Sequence, residues 1–130
     1  MDFTGTQGQS SEILSTEGLI RAGLPELGLI GNKTPRITGK RSSGTLASPT
    51  AISKDYSMLE LNAYGYAGFS FNERASIEMR ASEHWTSIFN GSHIRFMTTP
   101  IGHSLMREQM RLVGSGYLGL NNSNPTVPFM

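Results

Sequence analysis

Long polar stretches rich in glycine flank and interrupt the parts of this chain that could build a core. Gly, Ser, Thr, Asn and Gln together account for 52 of the 130 residues. Phe3 is the only aromatic or branched apolar residue before Ile13, and the last ten residues read Asn-Asn-Ser-Asn-Pro-Thr-Val-Pro-Phe-Met. Polar ends of this kind fray unless something binds them. The sequence therefore predicts a small body with arms that other molecules hold in place.

The size and charge of the chain exclude several classes of protein. A chain of 130 residues forms one domain at most, and 37% apolar residues allow only a small core. The formal charge of +1 creates no field that would steer the chain to nucleic acid or membranes. The absence of cysteine excludes disulfides, thiolate metal sites and cysteine nucleophiles. We expect no cofactor, no metal and no small-molecule ligand.

The N-terminal residues do not resemble a secretory signal. Met-Asp-Phe-Thr-Gly-Thr-Gln has no basic region and no apolar run. The most apolar neighbourhood, residues 19–30, is interrupted by Arg21, Pro25 and Glu26 and is too short to span a bilayer. The sequence predicts a protein of the virion or the host cytoplasm, not secreted by a signal peptide and without a membrane partner.

The strongest periodic pattern predicts a helix over residues 71–89. Ser70 and Glu73 have the spacing of a capping box, and Asn90-Gly91 supplies a stop. Apolar and aromatic side chains then recur at helical spacing on one side: Ile77, Ala81, His84, Trp85 and Ile88. This stripe predicts one face of a helical core.

Two further helices are predicted with less regular patterns. Thr99-Pro100 favours a helix start, and a helix over residues 100–113 would place Met106 and Met110 on one side. A short helix is expected over residues 16–23. The predicted core is formed by Ile77, Trp85, Ile88, Met106 and Met110.

Extended structure is predicted at two places only. Aromatic residues that alternate with small ones around Ala67-Gly68 favour a short hairpin or paired extended segment within residues 55–71, although residues 57–63 could equally begin a helical turn. Residues 92–99 suit a short strand or an extended link. The predicted fold is mainly α: a small body of two to three short helices, a short β-hairpin and long irregular arms.

The same patterns divide the chain into five segments. These are an N-terminal arm over residues 1–14, a short helix and apolar turn over 15–31, a basic irregular loop over 32–54, a mainly helical body over 55–114 and a C-terminal arm over 115–130. We saw no internal repeat and no heptad pattern.

Motifs that would indicate catalysis are incomplete. Gly102-His103-Ser104-Leu105-Met106 has Met where the nucleophile elbow of hydrolases needs its second glycine, and no histidine follows Ser104. Thr38-Gly39-Lys40-Arg41-Ser42 lacks the first glycine and the metal-binding hydroxyl of a phosphate-binding loop. The three histidines are spaced too widely for a metal pair. We therefore predict a non-enzyme, with a hydrolase that uses Ser104 as the weakest alternative.

A basic loop is the strongest candidate for a charged contact. Residues 32–54 contain no acid, and four basic residues lie within nine positions: Lys33, Arg36, Lys40 and Arg41. They could form a solvated loop without a partner, meet an acidic protein surface, or neutralise phosphates in a contact that weakens with salt. A nucleic-acid-binding accessory protein that uses these four side chains is the alternative hypothesis.

Apolar side chains in and near the arms are the candidates for contacts with neighbouring subunits: Phe3, Leu19, Ile20, Leu24 and Phe129. The low charge, the lack of cysteine and the abundance of Gly, Ser, Thr and Asn resemble the composition of small structural proteins of tailed-phage virions, such as capsid accessory or head–tail proteins. This resemblance implies a structural component of a multi-subunit assembly that binds its neighbours through its arms.

Overall fold

The computed structural model describes residues 29–129. The chain divides into two units, Met1–Arg36 and Ile37–Met130. The described residues of the first unit, 29–36, form no helix or strand and are exposed. The second unit contains all seven strands found in the described chain, and no helix occurs among residues 29–129.

Five consecutive strands form one antiparallel sheet in the second unit, in the order of the chain. They are β3 (Ser57–Tyr66), β4 (Phe71–Ala81), β5 (Ser92–Thr98), β6 (Arg107–Val113) and β7 (Leu118–Leu120). A separate small hairpin of β1 (Ser43–Gly44) and β2 (Pro49–Thr50) precedes them. Each strand of the sheet pairs with its sequence neighbour; turns over residues 67–70 and 114–117 join β3 to β4 and β6 to β7, and longer connections over residues 82–91 and 99–106 join the other two pairs.

The sequence of β4 explains why this segment is a strand. Ala75, Ile77 and Met79 alternate with Ser76 and Glu78, and successive side chains of a strand point to opposite faces. The alternation gives one apolar face and one polar face. Pairing with β3 on one side along most of the strand, and with β5 on the other side over residues 75–81, satisfies the backbone of β4.

The mainly α prediction is wrong. Residues 71–89, predicted as one helix, form β4 and an irregular connection to β5, and residues 100–113, predicted as another, form a loop followed by β6. The helical spacing of Ile77, Ala81 and Trp85 coexists with the period-two alternation, and pairing with two neighbouring strands favoured the latter. The predicted helix over residues 16–23 lies outside the described residues. A hairpin does connect β3 and β4 where a short one was predicted, and β5 lies where a short strand was predicted.

The core of the second unit is as small as the composition implied. Among the described residues the buried apolar side chains are Ile52 and Ala81, and no large side chain is fully buried. Backbone hydrogen bonds join the segment before β3 to the end of β4: Asp55 donates to the Ala81 carbonyl at 2.9 Å, and the Ala81 amide donates to the carbonyl of Tyr56 at 2.9 Å. Asp55 has a φ of 67°, a left-handed conformation in which Asp is one of the better-tolerated residues.

Candidate assembly surface

The central part of one face of the five-stranded sheet is apolar on all five strands. Residues that pair directly across neighbouring strands point to the same face, so the register defines its members. We call the following residues the apolar face: Leu59, Leu61, Ala63, Ala75, Ile77, Met79, Ala81, Ile94, Phe96, Met110, Leu112, Leu118 and Leu120. None of them carries a charge or a polar side chain, whereas the same register places four polar or charged residues at the ends of this face: Asn72, Ser92, Thr98 and Arg107.

Large side chains of the apolar face remain accessible. Leu61 is 47% exposed and Leu112 is 41% exposed, while central members such as Ile77 and Phe96 are half-buried. A groove of about 460 Å³ lies where the small side chains of Ala63 and Ala75 adjoin Leu61, Ile77 and Phe96. The face therefore has both a raised apolar surface and a depression that another apolar side chain could fill.

The opposite face carries a network of ion pairs, which we call the charged face. A Glu78 carboxylate oxygen lies 2.9 Å from an Arg80 guanidinium nitrogen and 2.7 Å from one of Arg95. Arg95 lies 3.7 Å from Glu108, which in turn contacts Arg111 at 2.6 Å. Two glutamates thus bridge three arginines across β4, β5 and β6.

A bulge in β6 makes this network geometrically feasible. Glu108 and Arg111 are three residues apart, and in a regular strand their side chains would point to opposite faces. The pairing shifts by one residue between Phe96–Met110 and Met97–Glu108, which leaves Gln109 as the extra residue. The shift places Glu108 on the same face as Arg111, as expected for a bulge that re-aims a side chain.

The charge of Glu78 is held by its partners against the cost of burial. Burial opposes the charged form, but hydrogen bonds from Arg95 and Arg80, the charge of Arg95 and a hydrogen bond from Ser76 outweigh it. The pKa of the Glu78 carboxyl is therefore lowered below its ordinary value. The network is an internal structural feature in which each glutamate is engaged by two arginines.

His93 lies on the charged face beside the network and is buried. Its Nδ1 is 2.7 Å from the Ser82 hydroxyl oxygen, and its buried Nε2 has no hydrogen-bond partner among the described residues. Burial, followed by the positive charges of Arg111 and Arg80, lowers the pKa of His93. These effects favour the neutral imidazole, because the charged form would be desolvated next to like charges.

The C-terminal segment lies over one end of the charged face. Gly119 is buried there in β7, and a side chain at this position would collide with the backbone carbonyl of Asn122. Asn121 adopts a left-handed φ of 51° and donates its amide to the Gln109 carbonyl at 2.7 Å. Pro125 is buried a few residues later. The chain thus shields part of its charged face with its own tail.

The basic residues predicted to bind a partner are all exposed. Lys33 and Arg36 belong to the first unit, and Lys40 and Arg41 to the second. Arg41 is held in place: its guanidinium lies 4.3 Å from the centre of the Tyr56 ring and donates to the Ser57 carbonyl at 2.8 Å. Binding of phosphate or of an acidic surface by these side chains stays a prediction.

The other predicted residues are scattered. Phe3, Leu19, Ile20 and Leu24 lie outside the described residues, and Phe129 is exposed. Ile77 and Met110 belong to the apolar face. Trp85 and Met106 are half-buried in connections, and Ile88 is 75% exposed.

Sequence reasoning missed most of the apolar face. The alternation of apolar and polar residues along β4 is the sequence signal of this face. A similar alternation favoured a short strand at β5, but the sequence did not show which strand would pair with it.

Neither a metal site nor a membrane helix occurs in the described part of the chain. Among residues 29–129, no three His, Asp or Glu side chains form a group that could hold a metal ion. No helix in this range is long and apolar enough to cross a membrane. Ser104 lies in the loop before β6, without the strand-to-helix turn that activates a nucleophilic serine.

The second unit is therefore a single-layer antiparallel sheet with one charged face, partly shielded by the tail, and one accessible apolar face. This fold is similar to that of the carboxy-terminal domain of the bacteriophage T5 L-shaped tail fibre, with a TM-score of 0.69 and 19% sequence identity. The likeness covers 85% of this chain and 43% of the fibre chain, so the chain corresponds to less than half of that domain. No protein-family model and no curated protein matches the sequence.

Proposed function

We propose that this chain is a non-enzymatic structural part of a phage virion, of the tail-fibre kind, and that it functions in contact with other protein subunits. The observation that carries the proposal is the accessible apolar face on a fold similar to a tail-fibre domain. An apolar surface that crosses a whole sheet is costly in water and is typical of a protein interface. Its place of action would be the virion.

Two features of the chain support a structural role over catalysis. The ionisable groups with clearly lowered pKa values, Glu78 and His93, are engaged in or enclosed by the ion-pair network of the charged face. Perturbed groups at active sites usually line a cleft open to substrate. Here the large open groove is lined chiefly by apolar side chains of the sheet and contains neither group. His93 does line a smaller polar cavity of about 270 Å³ with Ser82 and Arg111, so this feature favours a structural role for Glu78 only.

The fold favours a fibre over the capsid accessory or head–tail position that the composition suggested. The composition resembled that of capsid accessory or head–tail proteins, whereas the fold likeness is to a fibre domain. A role for the arms in binding neighbours remains part of the proposal, since Phe129 is exposed at the end of the described chain.

The proposal is tested by locating the chain on particles. A short epitope inserted after Gly102, in the exposed turn between β5 and β6, should leave both faces of the sheet unchanged. A gold-labelled antibody against the epitope, applied to purified phage particles that carry the tagged chain, should then mark the tail fibres. Untagged particles are the control. Label at the head or the head–tail junction would favour the alternative positions, and absence of the chain from purified particles would refute the proposal.

A further inference from the structure

We propose that the apolar face is the interface between copies of this chain, so that its occupant is the apolar face of a second copy. The inference deepens the proposed structural function, on which it rests, by naming the partner. It is carried by the size of the face, by the lack of charge at its centre and by the difference in how much of each side of the sheet the chain itself covers.

The first step concerns size. Five strands spaced about 4.8 Å apart make a sheet roughly 24 Å wide, and seven residues at about 3.3 Å each give a length of roughly 23 Å. The footprint is therefore on the order of 500 Å² before the corrugation of the side chains is counted. Two such faces together provide on the order of 1,000 Å², which is the lower limit of a specific protein interface. A single scattered side chain could not provide this area, but one whole face can.

The second step concerns chemical complementarity. The centre of this side of the sheet offers no charge and no side-chain hydrogen-bond donor or acceptor, and polar residues such as Thr98 and Arg107 lie at its ends. A polar partner placed over the centre would lose hydration without gaining a contact. The surface that fits it is another extended, uncharged apolar surface. The chain itself supplies such a surface in every further copy, and two sheets pack face to face through their apolar sides at a separation of about 10 Å.

The third step concerns the covering that the chain already provides. The C-terminal segment approaches the charged face at Gly119, and Ser76, Glu78 and His93 on that face are buried. On the apolar face, Ala81 is fully buried at one end, and Gly39 lies against the Leu59 side chain at the β3 edge. Leu61, Leu112 and Leu120 of the same face stay about half exposed. Within residues 29–129 the tail thus covers part of the charged side, while the leucines at the middle and far edge of the apolar side stay accessible to a partner.

The absence of cysteine and two matched leucines allow a sharp test. Leu112 lies on the apolar face in β6 and is 41% exposed, whereas Leu105 lies in the preceding loop and is 73% exposed. Sedimentation velocity of the purified full chain should show an oligomer that dissociates on dilution. Leu112→Glu would place a charge in the interface and should weaken association by about 30-fold or more. Leu105→Glu adds the same charge outside the face and should leave association unchanged.

A second measurement does not depend on a destabilising charge. Leu112→Cys and Leu105→Cys each introduce the only thiol of the chain. The rate of reaction with a maleimide should fall at position 112 as protein concentration rises, and should stay constant at position 105.

Three results would overturn the inference: a wild-type monomer at every concentration, equal weakening by both glutamates, or protection at position 112 that does not depend on concentration. The last would mean that the chain covers its own face. Each leaves the particle-labelling experiment as a separate test of the structural function.

Discussion

Replacing Glu78 by glutamine should remove the negative charge at the centre of the ion-pair network on the charged face. The change keeps the size of the side chain but removes the charge that Arg80 and Arg95 share, at 2.9 and 2.7 Å. It also replaces one of the carboxylate oxygens that accept hydrogen bonds from Ser76 and the two arginines. Arg95 would then depend on Glu108 alone, at 3.7 Å.

The expected loss of stability follows from how deeply each partner lies. Removing one partner of a fully buried ion pair costs about 3–5 kcal/mol, whereas exposed pairs contribute at most about 1 kcal/mol. The Glu78 side chain is 8% exposed, but those of Arg80 and Arg95 are 18% and 22% exposed and can recover some hydration. We therefore expect the free energy of unfolding to fall by about 2 kcal/mol, between these limits.

Urea denaturation at fixed protein concentration measures this loss. With a slope of about 1–2 kcal/mol per molar urea, the midpoint should fall by about 1–2 M. Glu60→Gln is the matched control because Glu60 pairs directly opposite Glu78 in β3, is exposed, and contacts Asn62 through a hydrogen bond of 3.3 Å. It should change stability by less than about 0.5 kcal/mol. Equal effects of the two substitutions would refute the assignment of the network as a stabilising element.

The pH dependence of the same variant gives an independent check. The folded pKa of Glu78 is lowered, so its contribution is complete above the ordinary glutamate value of 4.5 and is lost as pH falls through the lower folded value. Wild type should therefore lose stability in that acid range more steeply than Glu78→Gln. Parallel acid profiles would show that the carboxylate does not stabilise the fold.

Two further substitutions test His93 and Gly119. Because the folded pKa of His93 is lowered, the unfolded chain binds a proton first as pH falls. Stability should therefore decline below pH 6.5, the ordinary pKa of histidine. In thermal melts this decline should be smaller in His93→Gln and unchanged in the exposed control His103→Gln. Gly119→Ala should lower the free energy of unfolding by about 1–3 kcal/mol through its collision with Asn122. Gly65→Ala, which has nothing within 4 Å, should change it by less than about 0.5 kcal/mol, and equal urea midpoints for the two alanine variants would contradict a close approach of the tail.

The sequence of β4 carries the alternation expected of a strand, but the local pattern alone does not decide between strand and helix. In β4, Ile77 and Ala81 fit both a helical stripe and a strand alternation, and the Ser70–Glu73 spacing added a helix signal. What decides the matter is pairing with β3 and β5, which lie in other parts of the sequence. Local patterns are weak where tertiary pairing competes with them. The hairpin turn near Gly68 was predictable because its signal is local.

The apolar face was harder to predict because it exists only once the register is known. Leu61, Ile77, Phe96 and Met110 come from four strands, and their common side follows from residue-by-residue pairing. The position of Glu108 depends on a bulge that no pattern in the sequence indicated. By contrast, the small size of the core followed directly from the low apolar content, and it was confirmed.

The two faces of the sheet should respond to mutation in opposite ways. Glu78 and Glu108 of the charged face each contact two arginines already, so this face gains little from a new partner. Removing one of these charges therefore affects folding. The apolar face contributes free energy only when a partner removes water from it, so a charge placed on this face affects association. We therefore expect Glu78→Gln to lower the urea midpoint without changing the dissociation constant of the folded chain, and Leu112→Glu to weaken association with a smaller effect on a dilute, monomeric sample. If both variants changed both quantities in proportion, folding and association would be one process, and the separation of roles between the faces would be wrong.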